Sequence, residues 1–471
     1  MSTSSAAPAS GAAATLSSSS WGAEFRALFA LGWPLIVAQL AQISLVATDT
    51  VMLGWLGPKY LAAAALANAL FIATQLFGMG IVGAVAPMVA QALGAGDAQS
   101  VRRTVRQGIW AALLLAVLLF PVIWNIAPIY RALGEDAELT AMAERFVHFA
   151  IWLIVPAFLI VVFRSFLSAH GNTRAIFLIT VAGVVVNAAA DYALIFGNWG
   201  FPRLELAGAG IATTTVSLVM LAIMVAYTLT RPQFRPYRIL HHFFRPDWPR
   251  FLELLRIGIP IGLMSLAEVL LFTSASLLQG WIGQDAVAAH AIALQLASIS
   301  FMVPLGLSQA ATVRVGLALG AGDRDGIRKA GWAALICTLL FMSSTAVLFL
   351  AAPHALVELF LNPRNPANAE AIGLAVSYLL VAGLFQLFDG AQVTMGAALR
   401  GLSDTNMPLL IALFGYWVVG FPIAYVLAFP LGLRGVGIWF GLAAGLAATA
   451  LVLTLRFALR DRLGLTRRAP A

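Results

Sequence analysis

Gly258–Gly283 reads GIPIGLMSLAEVLLFTSASLLQGWIG and carries one full charge, Glu268. About 20 apolar residues span the hydrocarbon of a bilayer, so the stretch is long enough to cross one. Glu268 lies ten positions in from Gly258, roughly 15 Å along a helix. A carboxylate at that depth costs at least about 2.5 kcal/mol and requires a partner, a proton or an ion. The stretch has a twin: Gly32–Gly57 reads GWPLIVAQLAQISLVATDTVMLGWLG. Gly-x-Pro opens both, at Pro34 and Pro260, and Gly-Trp-aliphatic-Gly closes both, with an offset of 226 at each end. The charge moves between copies. Gln42 stands opposite Glu268, and Asp49 opposite Ala275. The pattern is that of a duplicated membrane protein whose halves carry different buried carboxylates.

Of 471 residues, 61% are hydrophobic and 10% charged, against about 25% charged in a soluble domain. Hydrophobic runs recur along the whole length, which predicts an all-α polytopic membrane protein. The formal charge is +8, nearly all from Arg, since Lys occurs only at Lys59 and Lys329. The positive-inside rule accounts for that excess, and no nucleic-acid partner is expected. The single cysteine, Cys337, excludes a disulfide framework and a cysteine metal site. Residues 1–20 are rich in Ser and Ala, without basic residues or an apolar core. They read as a disordered tail, not a signal peptide.

Twelve spans are expected, at about 26–53, 61–93, 104–129, 145–168, 175–197, 206–230, 250–281, 287–319, 329–353, 370–400, 407–430 and 435–458. Pro34, Pro121, Pro156, Pro260, Pro304 and Pro422 fall inside them and suggest kinks. Basic residues sort to one side. Arg102, Arg103 and Arg106 follow the second span, Arg174 the fourth, Arg231–Arg250 the sixth, and Arg324, Arg328 and Lys329 the eighth. Arg456, Arg460, Arg462, Arg467 and Arg468 form the tail, whereas Glu135, Asp136 and Glu138 lie opposite. Both termini are therefore expected in the cytoplasm.

Further matches extend the repeat. Leu93–Asp97 and Leu319–Asp323 both read LGAGD, again 226 apart, and Gly208-Ala-Gly-Ile matches Gly435-Val-Gly-Ile at 227. Six spans per half, starting on the same side, give parallel repeats and two pseudo-symmetric six-helix lobes facing a central cleft. The expected boundaries are an N-lobe at 21–230, a basic cytoplasmic linker at 231–249, a C-lobe at 250–460 and a basic tail at 461–471.

Four of the twenty acidic residues fall inside apolar runs: Asp49, Asp191, Glu268 and Asp389. Gln42 lies seven residues before Asp49, on nearly the same helical face. Asn187 and Asp191 are four apart on the fifth span, as are Ala209 and Thr213 on the sixth. If the first, fifth and sixth spans meet, they present an all-oxygen set suited to Na⁺ or a shared proton. Two such carboxylates cannot both stay ionised and unpaired. The alternative role is hydrogen-bonding glue between helices. In the C-lobe, Gln386 and Gln392 flank Asp389 at three-residue spacing. No Lys or Arg lies deep in an apolar run to pair these acids; Arg164, Arg314 and Arg400 lie near helix ends, where they can snorkel. An unpaired acidic cleft favours a cationic ligand. His290 is read as a hydrogen-bonded core residue before a proton carrier. Trp33, Phe272, Phe388, Tyr416 and Trp417 are candidates for holding a flat cation. No nucleotide loop, HExxH or nucleophile–base set is present, so no cofactor and no enzymatic activity are expected.

These residues resemble the multidrug and toxic compound extrusion (MATE) family, its NorM-like branch above all. The resemblance rests on Pro34…Gln39…Asp49-Thr-Val-Met-x-Gly54, Pro87-x-x-x-Gln91-x-x-Gly94-x-Gly96, Asn187-x-x-x-Asp191 and Glu268. It continues with Ala288-Ala-His290, Pro304-x-Gly-Leu, Val313-Arg-Val-Gly316 and Phe388-Asp389…Leu399-Arg400-Gly401…Asp404-Thr405. It implies a Na⁺- or H⁺-coupled antiporter that expels hydrophobic, often cationic compounds by alternating access. It also implies cation or substrate binding at Glu268 and Asp389, or cation binding at Asp49, Asn187, Asp191 and Thr213, with Gln39, Gln42, Gln386 and His290 in support. The chain carries both sets. The expected setting is a multi-pass monomer in the bacterial inner membrane. The runner-up is a MATE-like flippase for a lipid-linked sugar, which should show basic residues in its cleft.

Overall fold

Twelve helices long and apolar enough to cross a membrane stand in a computed structural model that describes residues 20–132, 134 and 136–466. The first six are α1 (Trp21–Leu56), α2 (Lys59–Gly94), α3 (Ala98–Trp124), α4 (Ala137–Ala169), α5 (Thr173–Phe196) and α6 (Leu206–Thr230). The last six are α7 (Trp248–Ile282), α8 (Gln284–Ala321), α9 (Arg324–Ala351), α10 (Pro366–Gly401), α11 (Asn406–Ala428) and α12 (Arg434–Ala458). Among the described residues there is no strand. Residues 1–19 of the expected tail, with Glu135, Arg467 and Arg468, lie outside them.

Short polar side chains set where the helices start. Ser20 caps α1, its Oγ accepting from Ala23 N at 3.3 Å. The twin LGAGD segments are cap loops. Gly96 and Gly322 sit at φ 72° and 74°, a region glycine enters without a Cβ penalty. The next residue then caps: Asp97 accepts from Ser100 N at 2.9 Å and Asp323 from Gly326 N at 2.8 Å. Asp136 likewise caps α4. These caps lie upstream of the apolar runs, which is why α4 and α9 begin earlier than hydropathy alone predicts. α3 stops at Trp124, and a short helix, Ile126–Ala132, follows.

Several helices depart from regularity. α2 is interrupted at Gly83-Ala84, and α4 contains a 3-10 turn at Ile151–Leu153. α11 carries a π-helical turn over Phe414–Gly420. Pro34, Pro121, Pro260 and Pro304 sit within continuous helices. Large apolar side chains such as Trp55, Val117, Leu178, Trp281 and Leu340 are exposed on the outer surface, as lipid contact requires.

The two halves meet near the end that holds the chain termini. Glycines let backbones approach there, a device common between membrane helices. A Cβ on Gly320 would stand 2.0 Å from Gln91 O, one on Gly94 2.1 Å from Leu317 O, and one on Gly258 2.2 Å from Ile81 O. Side chains reinforce this end. Arg314 Nε donates to Glu24 Oε1 at 2.9 Å and its Nη2 to Glu24 Oε2 at 2.5 Å. Gln91 Nε2 donates to Gly401 O at 2.8 Å and to Ser403 Oγ at 2.9 Å. Arg103 forks onto Asp247, the cap of α7, at 2.5 and 3.1 Å. The basic segment between the halves is tied down by Arg106 to His242 O at 2.9 Å and Trp110 Nε1 to Phe243 O at 3.0 Å.

Candidate functional site

Helices α1, α5 and α6 bring the N-lobe set together as its spacing predicts. Asn187 Nδ2 donates to Asp49 Oδ1 at 3.0 Å and to Asp191 Oδ2 at 2.5 Å. One amide thus spends its two N–H groups on two carboxylates. Thr213 Oγ1 donates to Asp49 Oδ2 at 3.2 Å, while the neighbouring Thr214 turns to Phe149 O at 3.4 Å. Asn187 and Asp191 are fully buried. Asn187 Oδ1 and Asp191 Oδ1 have no hydrogen-bond partner, although an unsatisfied buried acceptor is costly. The local chemistry is two carboxylates, an amide oxygen and a hydroxyl, with two acceptor atoms left over. Such an oxygen set fits a small hard cation or a shared proton.

Asp49 and Thr213 also line a cavity of about 610 Å³ between the halves. Gln39 and Gln42 of α1, Ala209 of α6, and Asn68 and Gln75 of α2 line it as well. The opposite half supplies Ile261, Ser265, Leu305, Ser308, Gln309 and Thr312. The N-lobe acids therefore communicate with the cavity through Asp49.

The C-lobe acids sit elsewhere. Neither Glu268 nor Asp389 lines this cavity, although Ser265, one turn before Glu268, does. Gln392 Nε2 donates to Glu268 Oε1 at 3.4 Å, and the buried Tyr416 hydroxyl donates to Gln392 Oε1 at 2.7 Å. Asp389 is 5% exposed and its Oδ1 has no partner. Gln386 turns away to donate to Ser300 Oγ. His290 meets Ser276 Oγ at 3.1 Å and lies edge-on to Trp439, a core setting.

Three expectations need correction. None of Trp33, Phe272, Phe388, Tyr416 and Trp417 lines the cavity; Phe71 and Phe146 do. Trp33 packs on Phe177 with ring centroids 5.7 Å apart and is 44% exposed, because its face of α1 points away from α8. The three arginines assigned to helix ends do not simply snorkel. Arg314 is 9% exposed on a Glu24 that is wholly buried. Arg164 and Arg400 line the cavity. Arg164 Nη2 bridges Gln39 Oε1, at 2.7 Å, and Gln309 Oε1. The charges facing the cavity are therefore of both signs. Glu24 and Arg314 lie 290 positions apart, so no local pattern reveals the pair.

Paired six-helix halves around a largely apolar cavity, with the Asp49 carboxylate in its wall, are the architecture of a membrane transporter. The MatE family model matches residues 34–193 and again 260–426, so its two matches start 226 residues apart, at Pro34 and Pro260. The chain is 46% identical over 441 residues to the "Probable multidrug resistance protein NorM" of Rhizobium meliloti (strain 1021), covering 94% of each chain. It is 44% identical to the protein of the same name from Mesorhizobium japonicum, over 94% of this chain and 95% of that one. Among solved structures, the eukaryotic MATE transporter AtDTX14 superposes with a TM-score of 0.86 at 22% identity, covering 95% of this chain and 98% of that one. The chain belongs to the MatE family and is a multi-pass membrane transporter, not an enzyme.

Proposed function

We propose that this chain is a multidrug antiporter of the inner membrane, exporting hydrophobic, often cationic compounds in exchange for Na⁺ or H⁺. The names of the NorM relatives support the substrate class. One observation carries the coupling site: Asp49 faces the cavity and shares the Asn187 amide with the buried Asp191. A cation or proton reaching Asp49 from the cavity finds the two free acceptors on Asn187 and Asp191 behind it. Its charge offsets that of the paired carboxylates, which in a low-dielectric interior repel strongly. A cationic substrate at Asp49 competes for the same negative charge, and that competition makes exchange obligatory. The basic residues put the termini in the cytoplasm, so the glycine-lined contact closes the cytoplasmic side. The N-lobe, 21–230, and C-lobe, 250–460, move as two bodies about it, linked by 231–249. Glu268 and Asp389, which do not line the cavity, are the second candidate acidic site.

The test is dye efflux in inverted vesicles under an imposed Na⁺ or pH gradient. Wild type is compared with Asp49→Asn/Asp191→Asn and with Glu268→Gln/Asp389→Asn. Loss of gradient-driven efflux in the first double variant alone is expected, and the effective gradient names the ion. Loss in the second alone moves coupling to the C-lobe. The cavity arginines favour a second reading, a flippase for a lipid pyrophosphate. It predicts no gradient-driven dye movement in wild type and binding of a short-chain lipid pyrophosphate.

A further inference from the structure

The segment that joins the halves carries charge that the fold does not use. Residues 231–246 hold four arginines, two histidines and no acid. Among the described residues, Arg231, Arg235, Arg238 and Arg245 make no ion pair, and neither does Arg102 in the first turns of α3. The next acid in the chain, Asp247, is already held by Arg103. Two consecutive turns gather the charge. His241 N donates to Arg238 O at 2.8 Å, and Arg245 N donates to His242 O at 3.0 Å. Arg238 and His242 take φ of 43° and 56°, left-handed values that bulky residues rarely adopt. α3 holds the second turn in place, since Arg106 Nη1 donates to His242 O at 2.9 Å. His242, with Arg102 and Arg238 behind it, pushes the His241 pKa below its ordinary value, as crowded like charges do.

The same segment has an apolar edge. Phe234 and Ile239 are buried against the N-lobe core, whereas Leu240 is exposed and Phe244 is 84% exposed. Phe243 stacks on Trp110 of α3 with ring centroids 5.2 Å apart, and Phe244 meets the same indole edge-on at 6.2 Å. Trp110 stands at one end of a stripe of exposed apolar side chains on α3, continued by Leu114, Val117 and Leu118. Their spacing puts them on one helical face, and that face meets lipid. The 27 residues of α3 make about 40 Å of helix, more than the roughly 30 Å of hydrocarbon. Its arginine-bearing first turns, and the segment docked on them, therefore stand at headgroup level. Phe244 thus lies where a lipid-facing stripe ends, beside exposed cationic groups, which is the make-up of an interfacial anchor.

We infer that Arg102, Arg238, Arg245 and the His241–His242 pair form a headgroup site for one anionic phospholipid, whose acyl chains lie against Phe244 and Trp110. Guanidinium forks match phosphodiester oxygens. A zwitterionic lipid would bring its ammonium group among these cations, so the site selects against it. The leaflet is the cytoplasmic one in the orientation proposed above, where anionic lipids attract juxtamembrane basic clusters. Asp247, at the end of this segment, caps α7. A lipid seated here therefore also holds the junction between the halves against α3.

The test is native mass spectrometry of the full-length protein in detergent micelles, titrated with dioleoyl phosphatidylglycerol and, separately, with dioleoyl phosphatidylethanolamine. The chains are identical, so the ratio of the two affinities reads the headgroup alone. Wild type is expected to bind one phosphatidylglycerol about tenfold more tightly than phosphatidylethanolamine, or better. Arg238→Gln/Arg245→Gln should remove most of that preference. Both side chains are exposed and outside every ion pair given above, so the fold does not depend on them. Arg324→Gln/Arg462→Gln removes the same charge from exposed positions on the same side of the other half and should leave the ratio unchanged. Phe244→Ser should weaken both lipids alike, since it touches chains and not headgroups. A wild type that does not distinguish the two lipids overturns the site. So does an equal loss in the Arg324/Arg462 control, which would put surface charge alone at work. Inorganic phosphate bound as tightly as the lipid would assign the cluster to a free anion and overturn the lipid.

Discussion

Arg314 of α8 is bidentate on Glu24 of α1 inside the protein, so the first turn of the N-lobe is locked to the far end of a C-lobe helix. Glu24 is wholly buried and Arg314 nearly so. Removing one partner of a buried pair typically costs about 3–5 kcal/mol, because the remaining charge stays behind without compensation. Glu24→Gln should lower thermal stability in detergent by that order. It should also increase labelling of a cysteine placed at the terminal contact, since the lock holds only while the halves are closed there. The swapped pair Glu24→Arg/Arg314→Glu should recover part of both losses. Wild-type stability and labelling in Glu24→Gln would remove the lock from the mechanism.

The glycine contacts make an opposite prediction from helix propensity. Gly→Ala in a helix interior ordinarily stabilises by roughly 1 kcal/mol. At Gly320 the new Cβ would stand 2.0 Å from Gln91 O, a backbone atom that cannot turn aside. Gly320→Ala should therefore destabilise and push α8 away from α2. Gly373→Ala on α10 meets nothing within 4 Å and should be neutral or stabilising. Thermal melting of the two variants side by side checks the sign difference.

The Arg103–Asp247 clamp lies at the end of α7 and gives a pH signature. The Arg103 guanidinium beside it holds the Asp247 carboxyl below its usual range. A carboxyl depressed on folding contributes stability above its unfolded value, about pH 4. That stability is lost as pH falls through the still lower folded value. Wild type should be more stable than Asp247→Asn at neutral pH, and the two should converge as pH drops below about 4. A constant difference across pH 3–7 would mean that the ionised Asp247–Arg103 pair is not what the substitution removes, since Asn caps a helix as well as Asp does.

Much of this arrangement is legible in the sequence. Duplication shows because Pro34 and Pro260, Asp97 and Asp323 recur at one offset: the prolines sit within the first helix of each half, and the aspartates cap a helix. The Asp49, Asn187, Asp191 and Thr213 set is legible because a charge in an apolar run must be met by another helix, and four-residue spacing says which residues share its face. Glu24 escapes that logic. It lies at the start of an apolar run, where a charge normally reaches water, and only the length of α8 buries it. Arg164 and Arg400 escape for the same reason. Their distance from a helix end says nothing about whether that end faces headgroups or a cavity floor. The cavity aromatics are missed because exposed rings such as Trp55, Trp152 and Trp281 recur on several spans, and the phase of each helix against the other half is not local information.

Two adjacent threonines offer the finest test of the N-lobe site. Thr213 gives its hydroxyl proton to Asp49, while Thr214 gives its own to Phe149 O. Valine has nearly the shape of threonine without the hydroxyl, so each substitution removes one hydrogen bond with little change in packing. A hydrogen bond to a charged group is worth about 1.5–3 kcal/mol. If Asp49 holds the coupling ion, Thr213→Val should raise the ion concentration for half-maximal efflux about tenfold, the equivalent of about 1.4 kcal/mol. It should do so whether the hydroxyl orients the carboxylate or donates its oxygen to the ion. Thr214→Val should leave that concentration unchanged and cost about 1 kcal/mol of stability at most. The same response from both variants would mean that α6 supports the bundle without contributing to the ion site, and would return the coupling role to Glu268 and Asp389.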